Sequence, residues 1–206
     1  MLIIKKIFFY FYWLINKMSS SLLNKKKRKN DSIKTEQHSH QQIKIESLIN
    51  KNNSYVCFTD GSTKCNPGPS GAAALLLNPL NKKENIDKQY VFSNDVTNNI
   101  AELKGIDLAL DLLSEQKDKL VEWNIVTDSL YVEGILNKNW KPTKNIEVIQ
   151  TLKQRIQELE KKHSVFIRVH WIKGHDGFKW NEEVDKLAKK ASMIAYMNKM
   201  NLEKKS

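Results

Sequence analysis

The sequence is poor in cysteine, and it contains no apolar run long enough to cross a membrane. Cys57 and Cys65 are the only cysteines among 206 residues, and they fit neither a metal-site spacing nor a disulfide-rich framework. We therefore expect free thiols and a reducing intracellular compartment, with the nucleus or cytoplasm favoured over an organelle. The nine-residue apolar run at positions 7–15 is shorter than the roughly 20 residues that a membrane-spanning helix needs.

Acidic residues are missing from the first 30 positions, and no small-residue signal-cleavage site follows the apolar run. Two lysines precede the run, and the arginines that a transit peptide favours are absent apart from Arg28. Three interpretations of the start of the chain stay open. Residues 1–16 are a targeting segment, or a weak interfacial membrane anchor, or part of a stretch that precedes a start at Met18.

Positive charge is unevenly distributed along the chain. Residues 1–53 contain 11 basic and 3 acidic residues, a net charge of +8, whereas residues 54–206 contain 23 and 20, a net charge of +3. The basic run at 25–29 predicts a solvated tail, a nuclear address or a nucleic-acid tether. Residues 30–53 are polar with a weak apolar repeat and predict a linker, with a short helix as the alternative. We expect an N-terminal extension over 1–53, a globular domain over 54–198 and a tail over 199–206.

Strand-like and helix-like segments alternate in the expected domain, which indicates an α/β fold. Short apolar runs predict strands at 55–59, 72–77, 88–92, 121–127 and 165–171. Apolar residues at spacings of three and four predict helices that begin near 97, at 146–163 and at Asn181, which we expect to cap the last helix. The segment 173–181, with two glycines around His175, predicts a mobile loop.

Two aspartates follow predicted strands in the same local pattern. Asp60 comes after strand 55–59, and Asp128 comes after strand 121–127. If these strands are parallel neighbours, both carboxylates lie at the edge of the sheet where sites form in open α/β folds. Each aspartate also has a purely structural explanation, because Asp60 with Gly61 is typical of a turn and Asp128 is a suitable helix N-cap.

Two further acids lie in the first turns of predicted helices, where the helix dipole alone favours them. Glu102 stands at capping-box spacing from Asn99, and Asp185 lies near the start of the last helix. Convergence of all four carboxylates would require cations, and Mg²⁺ or Mn²⁺ is the natural match for an all-carboxylate site. Two such ions would support phosphodiester cleavage, with His175 as a proton shuttle or an aid to product release. A solvent-facing loop histidine is the alternative for His175.

The chain resembles the type 1 ribonuclease H family over residues 54–192. The motifs that carry the resemblance are, in order, FTDGS with NPGPSG, TNNIAEL, IVTDSLYV and WIKGHDGFKWNEEVDKLAK. The resemblance implies a five-stranded mixed sheet flanked by helices, and endonucleolytic cleavage of the RNA strand of RNA–DNA hybrids with Mg²⁺, leaving 3′-hydroxyl and 5′-phosphate ends. It implies that the catalytic residues are Asp60, Glu102, Asp128 and Asp185, the four metal ligands, together with His175.

The resemblance also implies a set of substrate contacts, to RNA 2′-hydroxyls and to a DNA phosphate. A 2′-hydroxyl lets a protein distinguish RNA from DNA, and backbone amides with Thr or Asn side chains position phosphates. The implied substrate-binding residues are Gly61, Ser62, Asn66, Thr97, Asn98 and Asn99. No small-molecule cofactor is expected, and we expect a monomer.

The sequence departs from the family pattern in three places. The basic handle of bacterial members is reduced to NKNWKPTKN at 137–145, Leu130 stands where some members have glutamine, and residues 1–53 lack the aromatic pattern of a hybrid-binding domain. We hypothesise that residues 25–29 act as a tether in compensation. Two other functions remain open: a nucleic-acid-binding module with weak or no activity, and a nuclease subunit of a replication or reverse-transcription complex.

Overall fold

The computed structural model describes residues 40–78, 85–116 and 120–204. The interpretations of residues 1–16 and 25–29 therefore lie outside the described residues. The chain divides into two compact units, Met1–Gln41 and Gln42–Ser206, and the second contains every strand given below. In the part of the chain that the structure describes, no helix is both long and apolar enough to span a bilayer.

Five strands form one mixed sheet. They are β1 (Ser54–Thr63), β2 (Ser70–Leu77), β3 (Asn85–Val91), β4 (Glu122–Thr127) and β5 (Phe166–Trp171), in the spatial order β3-β2-β1-β4-β5. β1 is antiparallel to β2 and parallel to β4, and β4 is parallel to β5. The predicted α/β fold with a five-stranded mixed sheet is confirmed.

Helices cover both faces of this sheet. They are α1 (residues 40–49), α2 (Asn98–Ser114), α3 (Leu130–Leu136), α4 (Ile146–His163) and α5 (Lys179–Glu203). One core cluster joins the sheet to α2, α3 and α4, and a second joins it to α5 and to the part of α1 from Ile45 onward. The helical spacing at 146–163 predicts the bounds of α4 correctly.

The central strand β1 contributes to both clusters because successive side chains of a strand point to opposite faces. Tyr55 and Cys57 lie in the cluster of α2, and Val56 and Phe58 lie in the cluster of α1 and α5. This double burial explains why the strand is an almost unbroken apolar run.

The predicted end of β1 at Thr59 is wrong, because the strand continues through Asp60 to Thr63. Its parallel pairing with β4 does stop at Thr59, opposite Thr127, but the antiparallel pairing with β2 continues, with Asp60 opposite Ala73. A turn at Asp60 and Gly61 is therefore excluded. β2 is long enough to hold this part of β1 in the sheet after β4 has ended.

Both expected boundaries of the globular domain differ from the structure. The short helix that the apolar repeat allowed within 30–53 is present as α1. It is not part of a linker, because its Ile45 is only 1% exposed and its Ile49 is also buried in the core. The compact unit accordingly starts at Gln42 and not at residue 54. At the other end, α5 runs to Glu203, so the expected tail over 199–206 begins inside a helix.

Helix α1 should contribute to the stability of the domain through Ile45. Ile45→Ala removes a buried side chain, and we expect it to lower the free energy of unfolding by about 2–5 kcal/mol. Ile43→Ala is the matched control on the same helix, because Ile43 is 59% exposed; its effect should stay within about 0.5 kcal/mol. Urea unfolding followed by circular dichroism measures both. Equal effects of the two substitutions would show that α1 does not belong to the folded core.

Candidate active site

Three carboxylates from three different elements meet at one edge of the sheet. Asp60 lies in β1, Glu102 lies in the first turns of α2, and Asp128 directly follows β4. One oxygen atom from each carboxylate lies within 4.8 Å of the others. The parallel pairing of Thr59 with Thr127 explains the proximity of Asp60 and Asp128, which are the next residues along each chain segment.

Burial makes this cluster electrostatically unusual. Asp60 is 7% exposed and Glu102 is 6% exposed, whereas Asp128 is half-buried. The Asn98 side-chain amide donates a hydrogen bond to Oε1 of Glu102 at 3.3 Å, but Oε2 of Glu102 is buried without a hydrogen-bond partner. A buried carboxylate oxygen of this kind normally requires a partner, and a hard divalent cation would supply one. The donor set therefore fits a Mg²⁺ or Mn²⁺ ion.

The environment of the cluster disfavours the ionised form of its acids. Burial raises the pKa of Asp60 to about 8, with the charges of Asp128 and Asp185 adding to the effect and the Gly61 amide opposing it. Burial also raises the pKa of Glu102, and the charges of Asp60 and Asp128 act in the same direction. Without a cation the site retains protons, and a bound cation would take their place.

Asp185, the fourth predicted ligand, lies beside the cluster and not within the group of three. Its charge contributes to the raised pKa of Asp60. Its Oδ2 atom is 2.7 Å from Nζ of Lys189, one turn further along α5. The predicted position of Asp185 in the first turn of α5 is wrong, because the helix begins at Lys179 and the acid in its first turn is Glu182. The same prediction for Glu102 is wrong, because the first turn of α2 contains no acid.

Asn181 is a neighbour of the site that the sequence analysis assigned to a different role. The prediction that Asn181 caps α5 is wrong, because the helix begins at Lys179 with Phe178 as its N-cap. The Asn181 side-chain amide donates a hydrogen bond to Oδ2 of Asp128 at 3.1 Å, and its own Oδ1 is buried without a partner. Trp171 also contacts Asp128, because its indole N–H donates a hydrogen bond to the Asp128 backbone carbonyl at 2.9 Å. No local sequence signal indicates these two contacts.

The loop that carries His175 adjoins Asp128. Gly174 lies so close that a Cβ atom at this position would clash with the Asp128 carboxylate. His175 itself is exposed, with a backbone φ of 54° in the left-handed region. The loop is shorter than the predicted 173–181, because its last residues belong to α5.

The predicted substrate-binding residues lie in neighbouring segments: the end of β1, the turn after it and the start of α2. Asn66, in the turn after β1, accepts a hydrogen bond from the Asn98 backbone amide at 3.0 Å, which ties that turn to the start of α2. Thr97 is the N-cap of α2, although its side chain makes no capping hydrogen bond, so the capping box suggested for Asn99 and Glu102 is not formed. Asn99 is exposed on the first turn of α2.

Two residues of the same surface, Gly61 and Ser62, lie at the end of β1. A Cβ at Gly61 would clash with the backbone of Ala101 and Glu102, so only glycine lets α2 approach β1 this closely. The Gly61 amide also opposes the rise in the pKa of Asp60 and of Glu102. The Ser62 hydroxyl accepts a hydrogen bond from the Ser192 hydroxyl of α5 at 3.1 Å.

Comparison of the sequence with known proteins finds ribonuclease H relatives. The RNase H family model matches residues 52–193. The chain is 36% identical over 148 residues to ribonuclease H of Pseudoalteromonas atlantica, covering 66% of this chain and 88% of that protein. It is 32% identical over 164 residues to ribonuclease HI of Synechocystis, covering 73% and 92% respectively.

Solved structures share the fold at lower sequence identity. The N-terminal RNase H domain of a Mycobacterium tuberculosis protein, solved as a maltose-binding-protein fusion, has a TM-score of 0.58 at 23% identity and covers 70% of this chain and 97% of that one. LC11-RNase H1, crystallised in complex with an RNA/DNA hybrid, has a TM-score of 0.57 at 21% identity and covers 69% and 99%. Since the family model and these relatives extend over most of the folded part, the chain belongs to the ribonuclease H family of enzymes.

Proposed function

We propose that this enzyme hydrolyses the RNA strand of RNA–DNA hybrids by two-metal-ion catalysis and leaves 3′-hydroxyl and 5′-phosphate ends. The observation that carries the proposal is the group of three carboxylates whose oxygen atoms lie within 4.8 Å of one another, two of them buried. Acids in such an arrangement are costly to a fold unless a cation or a proton neutralises them. The family membership of the chain gives the class of reaction for which this arrangement is suited.

The residues that would hold the metal ions are Asp60, Glu102, Asp128 and Asp185. When bound, two Mg²⁺ ions would activate a water molecule and stabilise the leaving oxygen of the phosphodiester, and Mn²⁺ would substitute for them. Asp60 would hold the metal together with Glu102 and Asp128, because their oxygen atoms lie within 4.8 Å of one another. Asp185 is paired with Lys189 at 2.7 Å in the metal-free protein.

The substrate would lie across the surface formed by the end of β1 and the start of α2. The Gly61 and Ser62 backbone, with Asn66, would contact RNA 2′-hydroxyls, and the turn at Thr97 and its neighbours would position a DNA phosphate. Contact with a 2′-hydroxyl gives a physical reason for cutting the RNA strand only. The exposed imidazole of His175 would move a proton at the leaving oxygen or help the product to dissociate.

The carboxylate of Asp60 should be indispensable for cleavage. Asp60→Asn keeps the size of the side chain but removes its charge, and we expect at least a thousandfold loss of activity, roughly the effect of removing a central catalytic group. The assay uses a 5′-labelled RNA–DNA hybrid with a Mg²⁺ titration, and RNA and DNA duplexes as comparison substrates. Asp87→Asn, in the exposed strand β3, is the control and should retain full activity.

This assay also separates the enzyme from a nucleic-acid-binding module. If wild type and Asp60→Asn bind the hybrid and neither cleaves it at any metal concentration, the chain is a binding module and the proposed function is wrong. The electrophoretic mobility of the products, compared with 3′-hydroxyl and 3′-phosphate standards, shows which bond of the phosphodiester is broken.

The raised pKa of Asp60 predicts a pH-dependent stability of the metal-free protein. Between the ordinary value of 3.8 and about 8, folded Asp60 keeps a proton that the unfolded chain releases. Its contribution to stability is therefore present at low pH and is lost as the pH rises through about 8. Asp60→Asn has no such loss. We expect its Tm advantage over wild type to be small near pH 5 and a few degrees near pH 8.5.

Thermal unfolding in EDTA measures this difference, and Asp87→Asn is again the control. Added Mg²⁺ should raise the Tm of wild type at pH 8.5 and leave Asp60→Asn nearly unchanged, because a ligand stabilises only the state that binds it. A Tm difference that is equal at both pH values would contradict the electrostatic interpretation of the cluster.

The basic N-terminal segment should strengthen hybrid binding. Residues 1–39 contain nine basic and two acidic residues, a net charge of +7. Their deletion leaves the buried residues of α1 in place, and we expect weaker hybrid binding with a shallower dependence of log K on log salt. The test measures the affinity for an RNA–DNA hybrid at several salt concentrations, with Asp60→Asn in every protein so that the hybrid is not cleaved. Replacing the five basic residues at 25–29 by glutamine is the matched variant, and an unchanged salt dependence in both would rule out a tether.

A further inference from the structure

Helix α1 contacts the loop that carries His175. The side-chain amide of Gln42 donates a hydrogen bond to the backbone carbonyl of Asp176 at 3.2 Å, and the same nitrogen lies 3.4 Å from Oδ2 of the Asp176 carboxylate. Gln42 is half-buried, so this contact is partly shielded from water. The contact joins a helix that precedes the family-matched region 52–193 to a residue next to the proposed proton-transfer group.

The loop is also held by contacts from its own flanks. Lys173 lies 3.1 Å from Oδ1 of Asp176, and the Gly177 amide donates to Oε1 of Glu182 at 3.3 Å. Phe178, at the end of the loop, stacks on Phe58 of β1 with ring centroids 5.7 Å apart. Lys173 holds the Asp176 side chain, whereas Gln42 also bonds to the Asp176 backbone carbonyl.

The opposite side of the loop lies against the active site. Gly174 is in close contact with the Asp128 carboxylate, so His175 is situated between a residue that touches Asp128 and a residue that is bonded to Gln42. His175 and Gly177 both have positive φ values, of 54° and 76°. This backbone shape is uncommon for a non-glycine residue such as His175, and it persists where surrounding contacts hold it.

Open space beside the contact gives the loop somewhere to move. A cavity of about 400 Å³ lies between α1 and the loop, with Gln42, Glu46, Ile49 and Phe178 among its lining residues. If the Gln42 amide were lost, the backbone at Asp176 would have one hydrogen bond fewer and free volume beside it. A small rotation of this backbone would displace the adjacent His175.

We propose that Gln42 is a positioning residue for His175, and that helix α1 thereby controls the turnover of the enzyme. The inference rests on the proposed function, since it assigns His175 a part in the reaction. Among the contacts of the described residues, those of Gln42 are with Asp176 and not with the carboxylate cluster. It acts by holding the Asp176 backbone, and so it should affect the rate of turnover and leave substrate binding unaltered.

The sharpest variant is Gln42→Glu, which keeps the shape of the side chain but replaces the amide donor by a carboxylate facing Asp176. We expect kcat to fall by about two- to tenfold, the range for loss of one hydrogen bond, with KM unchanged. Ser47→Ala is the control on the same helix, because the Ser47 hydroxyl bonds only to the Lys44 carbonyl within α1 among the contacts described. It should leave both constants at wild-type values.

A double-mutant cycle tests whether Gln42 acts through His175. In a His175→Ala background, Gln42→Glu should cause no further reduction of kcat, because coupled residues do not have additive effects. An equal fold-reduction in both backgrounds would overturn the proposal. So would a reduction that appears in KM alone, or an unchanged kcat in the single variant.

A readout without catalysis distinguishes this proposal from the proposed function. Amide hydrogen exchange over residues 173–178 of the metal-free protein should be several-fold faster in Gln42→Glu than in wild type or Ser47→Ala, with the rest of the domain unaffected. If wild type fails to cleave hybrids, the proposed function is wrong, but the exchange data still report on the contact. Unchanged exchange in this segment would overturn the positioning role itself.

Discussion

The pairing of β1 with β4, together with the packing of α2 on β1, holds three carboxylates closer together than their mutual repulsion favours. Parallel register places Asp60 and Asp128 on adjacent strands, and the first turns of α2 bring Glu102 to them. Both faces of the sheet are covered by helices, so the repulsion is resisted by two core clusters and not by local contacts alone. The free energy of burying the core therefore offsets the cost of keeping these carboxylates together.

Periodicity and chain order are sufficient to predict much of this architecture. The apolar runs locate all five strands, and the spacing of apolar residues gives the bounds of α4, because buried faces impose these patterns directly. Of the four acids, Asp128 is in its predicted setting directly after β4, whereas Asp60 lies inside β1. Glu102 and Asp185 lie beyond the first turn of α2 and of α5. The catalytic role of these acids could be assigned only because the motifs around them resemble those of a known family.

Contacts between distant parts of the chain could not be predicted in the same way. Asn181 has the composition of a helix cap, and nothing beside it in sequence indicates its hydrogen bond to Asp128. Helix α1 buries only a few apolar residues, such as Ile45 and Ile49, so its amphipathic pattern is too short to distinguish it from a polar linker. Its stability comes from tertiary packing, which a local pattern does not record.

Gly61 determines how closely β1 and α2 approach each other at the carboxylate cluster. With no side chain between them, the backbone of β1 and the backbone of α2 are in direct contact at the point where two of the acids originate. A larger residue at position 61 would push α2 away from β1, and Glu102 would move away from Asp60 with it. The spacing of the two acids is therefore set by the absence of a side chain between their backbones.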